Sequence, residues 1–276
     1  MLLDCAGKAL DLSQPQVMGV LNVTPDSFSD GGDFSSVTEA VDRAWRMVEE
    51  GAAIIDVGGE STRPGARPVA PDEELRRVLP VIEALHRLLP VPVSIDTRKP
   101  QVMRAAVTAG AGLINDINAL RAEGAVGAVA ELGVPVCLMH MQGEPETMQA
   151  APRYADVVGE VTGFLLERAR VCVAAGVAPR RILLDPGFGF GKTTGHNLQL
   201  LRRLDHLVGQ GYPVLVGLSR KSLIGQVLDL PVERRLVPGV ALAVLAVWQG
   251  ATIVRSHDVR ETREAIRMCQ AVRDAV

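Results

Sequence analysis

Val91-Pro92-Val93-Ser94-Ile95-Asp96 is a short apolar run that stops on a carboxylate, and its plan recurs along the chain. Seven more runs follow it: Val17 to Leu21 ending in Asn22, Ala53 to Val57 with Asp56 inside it, Leu113 to Ile114 ending in Asn115, Val134 to Met139 ending in His140, Ile182 to Leu184 ending in Asp185, Val214 to Leu218 ending in Ser219, and Ile253 to Val254 ending in Arg255. Stretches with helical patterning separate them. Parallel strands covered on both faces read as continuous apolarity rather than alternation, so the pattern predicts eight β/α units. Closed into a (β/α)8 TIM barrel, these units bring the carboxyl ends of their strands to one mouth, where active sites of such barrels lie. Fold and candidate site are thus read from the same residues.

The length of 276 residues suits a single barrel domain spanning 1–276, since such barrels average roughly 250 residues. Residues 1–14, with a Gly7-Lys8 turn signal, read as a short N-terminal hairpin expected to plug the amino-terminal mouth of the barrel. Net charge is −3 and no basic run exceeds a pair, which argues against nucleic acid as a partner and for small molecules. The four cysteines, Cys5, Cys137, Cys172 and Cys269, have neither zinc-site nor disulfide-framework spacing. Asp4 falls where a signal peptide needs its apolar core, and the longest apolar run, Val240 to Trp248, is too short to span a bilayer. The expectation is a cytoplasmic protein with no membrane contact.

Helix signals follow the strands. Thr38 precedes a helix from Glu39 to Glu50 with Gly51 as its stop; Pro71-Asp72 opens one that runs to about Leu89; Pro100 and Gly110 bracket a third; and a long fifth helix spans about Ala155 to Ala175. An extra helical piece follows Lys221, and after Pro238-Gly239 comes the apolar run to Trp248. Apolarity on all sides of an outer helix predicts burial against a second subunit, hence a homodimer. Two connections, Thr24 to Ser36 and Gly58 to Ala70, are rich in Gly, Pro, Ser and Thr and read as mobile lids over the mouth.

Asp96, Asn115 and Asp185 place two carboxylates and an amide on one rim. Such acids can bind Mg²⁺, but a tight cage wants more oxygen ligands; recognition of a flat, nitrogen-rich ring through its N–H donors suits them better. Each acid can also serve as a plain helix cap. Arg255-Ser256-His257-Asp258 offers a guanidinium fork, a ring donor and a helix start, which suits an anion such as phosphate. Of 29 basic residues only Lys8, Lys99, Lys192 and Lys221 are lysine. Lys221, in Gly217-Leu218-Ser219-Arg220-Lys221-Ser222, is either a Schiff-base nucleophile or a fixed cation donating to a ring; for Lys99 and Lys192 chance placement is as good a reading. The turn Asp185 to Lys192 lacks the spacing of a phosphate loop, and its Phe188 and Phe190 can pack against a heterocycle.

Met18 to Gly32, with Asn22-Val23-Thr24-Pro25-Asp26-Ser27-Phe28-Ser29-Asp30 at its centre, and Asp56 to Gly65, with Gly59-Glu60-Ser61-Thr62-Arg63-Pro64, closely resemble the dihydropteroate synthase family, the sulfonamide target of folate biosynthesis. The resemblance extends through Ser94 to Thr97, Asn115-Asp116, Asp185 to Gly187, Ser219 to Ser222 and Arg255 to Asp258. It implies a transferase that joins 6-hydroxymethyl-7,8-dihydropterin diphosphate to 4-aminobenzoate, giving 7,8-dihydropteroate and diphosphate. By resemblance, Asp96, Asn115, Asp185 and Lys221 hold the pterin, and Met139, Phe190 and Gly217 shape its slot. Asn22 shares a Mg²⁺ with the diphosphate; Thr62, Arg63, Arg255, Ser256 and His257 contact the diphosphate or the second loop; and Phe28, Pro64 and Ser219 border the aminobenzoate pocket. Lys221, Asp96, Asp185 and Asp30 are the residues expected to carry catalysis, Asp30 ordering late with its loop. Two other readings use parts of this rim: a pterin-binding barrel that presents a methyl donor to a corrinoid partner, and a Schiff-base aldolase acting through Lys221. Only the synthase uses both loops together with Arg255 and His257.

Overall fold

The computed structural model describes residues 1–24, 33–62 and 65–275, without the side chains of 33–36. β1 (Leu2–Cys5) and β2 (Lys8–Asp11) form an antiparallel hairpin. The barrel strands are β3 (Gln16–Asn22), β4 (Ile54–Gly58), β5 (Val93–Asp96), β6 (Leu113–Asp116), β7 (Val136–Met139), β8 (Ile182–Asp185), β9 (Leu215–Gly217) and β10 (Ile253–Ser256). They pair in parallel in the order β8-β7-β6-β5-β4-β3-β10-β9. A parallel bridge between Leu184 and Val214 joins the two ends and closes the cylinder.

The outer layer comprises α1 (Asp33–Glu49), α2 (Pro71–Leu88), α3 (Pro100–Thr108), α4 (Ala125–Leu132), α5 (Val157–Ala174), α6 (Thr194–Arg202), α7 (Leu204–Val208), α8 (Ser222–Leu228), α9 (Leu236–Trp248) and α10 (Val259–Arg273). Pro71 and Pro100 occupy first helical turns, where a missing N–H costs nothing. The first helix begins at Asp33, earlier than the Thr38 cap predicted, and the sixth unit divides its outer layer between α6 and α7.

Every residue of β4, β5, β6, β7 and β8 is buried. This is why the strands read as unbroken runs: one set of side chains packs on the helices and the alternate set fills the barrel. The lower interior layer is Met18, Ile54, Leu113, Cys137, Leu183, Leu215 and Ile253, packed on Leu3, Cys5, Leu10 and Leu12 of the hairpin segment. The hairpin therefore plugs the amino-terminal mouth, as its sequence suggested. It lies so close that a Cβ at Gly112 would meet the Cys5 carbonyl oxygen at 2.2 Å. Lys8 secures it from outside, its Nζ donating to the carbonyls of His86 at 2.6 Å and Leu89 at 2.7 Å. All four cysteines are free and buried, and no helix among the described residues is long and apolar enough to cross a membrane.

α9 is buried only on the face carrying Gly239, Ala243, Ala246 and Val247. Val237, Leu245 and Trp248 are exposed within the single chain, as are Met268 and Val272 of α10, which packs beside it.

Candidate active site

Two residues above the lower layer on each strand, the same inward alternation brings up Asp56, Asp96, Asn115, Met139, Asp185, Gly217 and Arg255. A floor of hydrocarbon thus gives way, in one step of the pleat, to a ring of charge. Arg255 reaches across it: its Nε donates to Asp56 Oδ2 at 2.6 Å and its Nη2 to Asp96 Oδ2 at 3.0 Å. Asn115 Nδ2 donates to the same Asp56 oxygen at 3.1 Å. Asp56 Oδ1 and Asn115 Oδ1 are buried acceptors without a hydrogen-bond partner among the described residues. A buried acceptor left unmatched is costly, so these atoms suit a ligand edge rich in N–H.

Burial dominates the electrostatics of this ring. It pushes the Asp96 carboxyl up to about 7, against the pull of Arg255 and with added repulsion from Asp56. Asp185 is likewise raised by burial, to about 6, although the Gly187 N–H donates to its Oδ1 at 2.7 Å and Lys221 and Arg255 favour its charge. Lys221 is lowered to about 8 by burial and by Arg255, with Asp185 and Asp96 opposing. Its ammonium lies 4.2 Å from the centroid of the Phe190 ring, close enough for the ring face to hold it.

Phe190 packs with Ile117, Met139, Met141 and Met148 in a separate apolar cluster at the mouth. These polarizable, unbranched methionines make a wall suited to a flat ring. Phe188 behaves differently from expectation: fully buried in the main core, it packs on the helix side and not on the mouth.

At the other side of the rim, the His257 backbone N–H donates to Ser219 Oγ at 3.2 Å, and its Nδ1 lies 3.1 Å from the same oxygen. Burial, then the Arg255 charge, lowers His257 to about 4, so its imidazole is neutral at pH 7. Arg220 is held by Asp258, with Nε to Oδ2 at 3.1 Å. Ser256 corrects the expectation placed on it. Next to inward-facing Arg255 its side chain turns outward, where its hydroxyl lies 2.9 Å from that of Thr262 and accepts from the Asp258 N–H at 3.1 Å. It therefore organises the start of α10 and does not face the mouth.

Asn22 ends β3 opposite Gly58; a Cβ at Gly58 would lie 3.6 Å from Asn22 Oδ1 and 3.6 Å from Asp96 Cβ. Thr62 is half-buried nearby in sequence on the second loop. That loop is anchored by charge: Lys99 pairs with Glu60 and with buried Glu74, Arg98 Nη2 lies 3.3 Å from Glu60, and Arg98 Nη1 2.8 Å from Glu144. Lys99 is thereby a structural cation. Phe28, Asp30, Arg63 and Pro64 lie outside the described residues.

Sequence reasoning missed three contributions. Asp56 was visible as a charge inside an apolar strand, but only the closed barrel sets it against Arg255. Ile117, Met141 and Met148 carried no signal, since aliphatic residues past a strand end read as ordinary core. Lys192, left to chance, is buried and bonded within the turn after β8.

Residues 18–257 match the family of pterin binding enzymes. The chain is 54% identical over 275 residues to the dihydropteroate synthase of Escherichia coli strain K12, covering 100% of this chain and 98% of that one. It superposes with a TM-score of 0.94, at 54% identity, on Xanthomonas albilineans dihydropteroate synthase with 4-aminobenzoic acid, covering 100% of this chain and 99% of that one. The same enzyme in complex with 7,8-dihydropteroate gives a TM-score of 0.91 at 50% identity, each chain covered in full. Resemblance in the motifs, the ring of inward side chains and full-length similarity agree: the chain belongs to the pterin binding enzyme family.

Proposed function

We propose that this protein is a transferase that condenses 6-hydroxymethyl-7,8-dihydropterin diphosphate with 4-aminobenzoate to form 7,8-dihydropteroate and diphosphate. The carrying observation is the convergence of Asp96, Asn115 and Asp185 on one inner layer, with Arg255 bridging Asp56 and Asp96 and Lys221, past the end of β9, over the Phe190 ring. Resemblance at 46–54% identity to dihydropteroate synthases supports the reaction.

In this reading the carboxylates and the Asn115 carbonyl accept from the pterin N–H edge, Lys221 donates to the ring, and Met139, Phe190 and Gly217 bound its slot. The C–O bond at the pterin methylene breaks with its electron pair leaving on the diphosphate. The ring spreads the positive charge, which Asp96 and Asp185 stabilise. The aminobenzoate nitrogen then forms the C–N bond and releases its proton to solvent or to the departing diphosphate. No protein nucleophile is required. Arg255, neutral His257, Thr62 and Arg63 serve the anion or the second loop; Ser219, Phe28 and Pro64 border the second substrate; and Asp30 with its loop excludes water.

Among the described residues no three His, Cys, Asp or Glu side chains form a metal cage. A single amide oxygen, Asn22 Oδ1 at the rim, fits Mg²⁺ that draws its other ligands from phosphate and water, the usual habit of this ion. When bound it supplies charge neutralisation on the diphosphate. The exposed apolar strip of α9 and α10 supports a homodimer, and the buried free thiols accord with the reducing cytoplasm.

The test is release of diphosphate from the pterin diphosphate, assayed with and without 4-aminobenzoate and Mg²⁺. Release that requires all three supports the proposal. Pterin binding without turnover would replace it with a carrier role.

A further inference from the structure

We infer that Lys192 is a positioning residue for the pterin side of the reaction, its buried Nζ donating the hydrogen bonds that fix the turn carrying Phe190 and Asp185. This rests on the function proposed above. Lys192 is 3% exposed, and its Nζ lies 2.9 Å from His140 Nδ1, 2.9 Å from Gly187 O, 3.0 Å from Phe190 O and 3.3 Å from His140 O. Burial lowers this amine to about 7, with Asp185 favouring its charge and Lys221 opposing it; among the described residues it makes no ion pair, and its N–H groups meet four neutral acceptors instead.

The turn has one backbone bond of its own, from the Phe190 N–H to the Gly187 carbonyl at 3.1 Å. Gly187, Gly189 and Gly191 have φ of 67°, 82° and 60°, an alternating left-handed turn, and its Gly187 and Phe190 carbonyls both accept from Lys192. The turn lies directly on the end of β7: a Cβ at Gly187 would meet His140 O at 2.0 Å. Its other groups are tied from outside, Gly189 N–H to Asn197 Oδ1 at 2.8 Å and Gly191 O to the Tyr154 hydroxyl at 2.8 Å.

Two pterin-facing groups hang on this turn. Gly187 accepts from Lys192 through its carbonyl while its N–H donates to Asp185 at 2.7 Å. Phe190, whose carbonyl also accepts from Lys192, presents its ring to the Lys221 ammonium. Loosening the Lys192 site therefore moves Asp185 and Lys221 together. Ser219 and His257, across the rim, share none of these bonds.

The experiment measures steady-state kinetics of the full-length enzyme with both substrates. Lys192→Met keeps an unbranched side chain one atom shorter and removes the N–H donors. The expected result is a KM for pterin diphosphate raised roughly 10- to 100-fold, the scale for misplacing binding groups by an ångström or less, with the KM for 4-aminobenzoate unchanged. Lys192→Ala should regain activity in n-propylammonium, which replaces the deleted atoms, and not in tetramethylammonium, which has no N–H. Equal changes in both KM values, or no selective rescue, would overturn the assignment. If neither lysine variant folds, Tyr154→Phe, which releases Gly191 O from the same turn, must raise the pterin KM selectively or the inference is lost. Wild-type turnover in the same assay separates failure of this inference from failure of the proposed function.

Discussion

Replacing Arg255 should damage the fold before it damages anion binding. Its side chain is 22% exposed, and it neutralises Asp56, which is fully buried, and Asp96, whose side chain is 10% exposed. Removing one partner of a buried pair costs about 3–5 kcal/mol, because the remaining charge is left in low dielectric. The partial opening of Arg255 to solvent places Arg255→Met near the lower end, about 3 kcal/mol. At about 1.4 kcal/mol per decade, the folded-to-unfolded ratio falls roughly 100-fold. Part of that loss is recoverable. In Asp56→Asn/Arg255→Met the deepest charge is gone, and Asp96, already raised to about 7, is pushed higher without Arg255 and becomes neutral at little cost. The double variant should therefore regain about 1–2 kcal/mol over the single one, a coupling typical of residues in contact. Urea unfolding of wild type, both single variants and the double, with slopes compared, gives the cycle. A single variant within about 1 kcal/mol of wild type, or additive losses in the double, would refute the picture of Arg255 as the ring's neutralising bridge.

The other predictions concern function. The kcat/KM for pterin diphosphate should peak between about 7 and 8: its acid limb falls as Asp96 and then Asp185 take up protons, near 7 and 6, and its basic limb falls as Lys221 loses its proton near 8. Lys221→Ala should lower kcat/KM roughly 10²- to 10³-fold, the scale for one preorganised donor; it should also abolish the basic limb and move the acid limb upward, since Lys221 holds Asp185 down. A bell unchanged in Lys221→Ala would contradict both assignments. If the proposed homodimer forms through α9, the wild type should sediment as a dimer and Leu245→Glu as a folded monomer; a monomeric wild type would refute the dimer, and a dimeric variant would place the interface elsewhere. Chelation of Mg²⁺ should abolish turnover and weaken diphosphate binding while leaving the circular dichroism spectrum intact, because among the described residues no cage of protein ligands would depend on the ion.

How much of this was legible beforehand follows from the pleat. The apolar runs announced both the barrel and its rim, because strands buried on two faces can tolerate a polar residue only where the interior opens. Asp96, Asn115, Asp185 and Arg255 were therefore found as strand terminators, and pairing in the barrel brings all four into one layer. Ser256 went astray because a terminal motif does not say which of two neighbours faces inward; a single step of the strand turned it to Thr262. Phe188 and Phe190 divide the same way, one entering the core and the other the mouth. Thr38 was read as a cap because Thr-Glu is a good local start, yet α1 begins five residues earlier.

The sequence by itself determined the barrel's strand count, the parallel winding and which polar residues end its strands, since burial and periodicity are local properties of the chain. Only tertiary structure decided how the charges share one another. Asp56 and Arg255 are 199 positions apart, and Lys192 meets His140 across 52. Closure of the sheet brings β10 beside β3 and leaves a few ångströms of low-dielectric interior between such groups. At that distance burial and neighbouring charge, which no spacing along the chain encodes, set which acids stay ionised and which cation holds the site together.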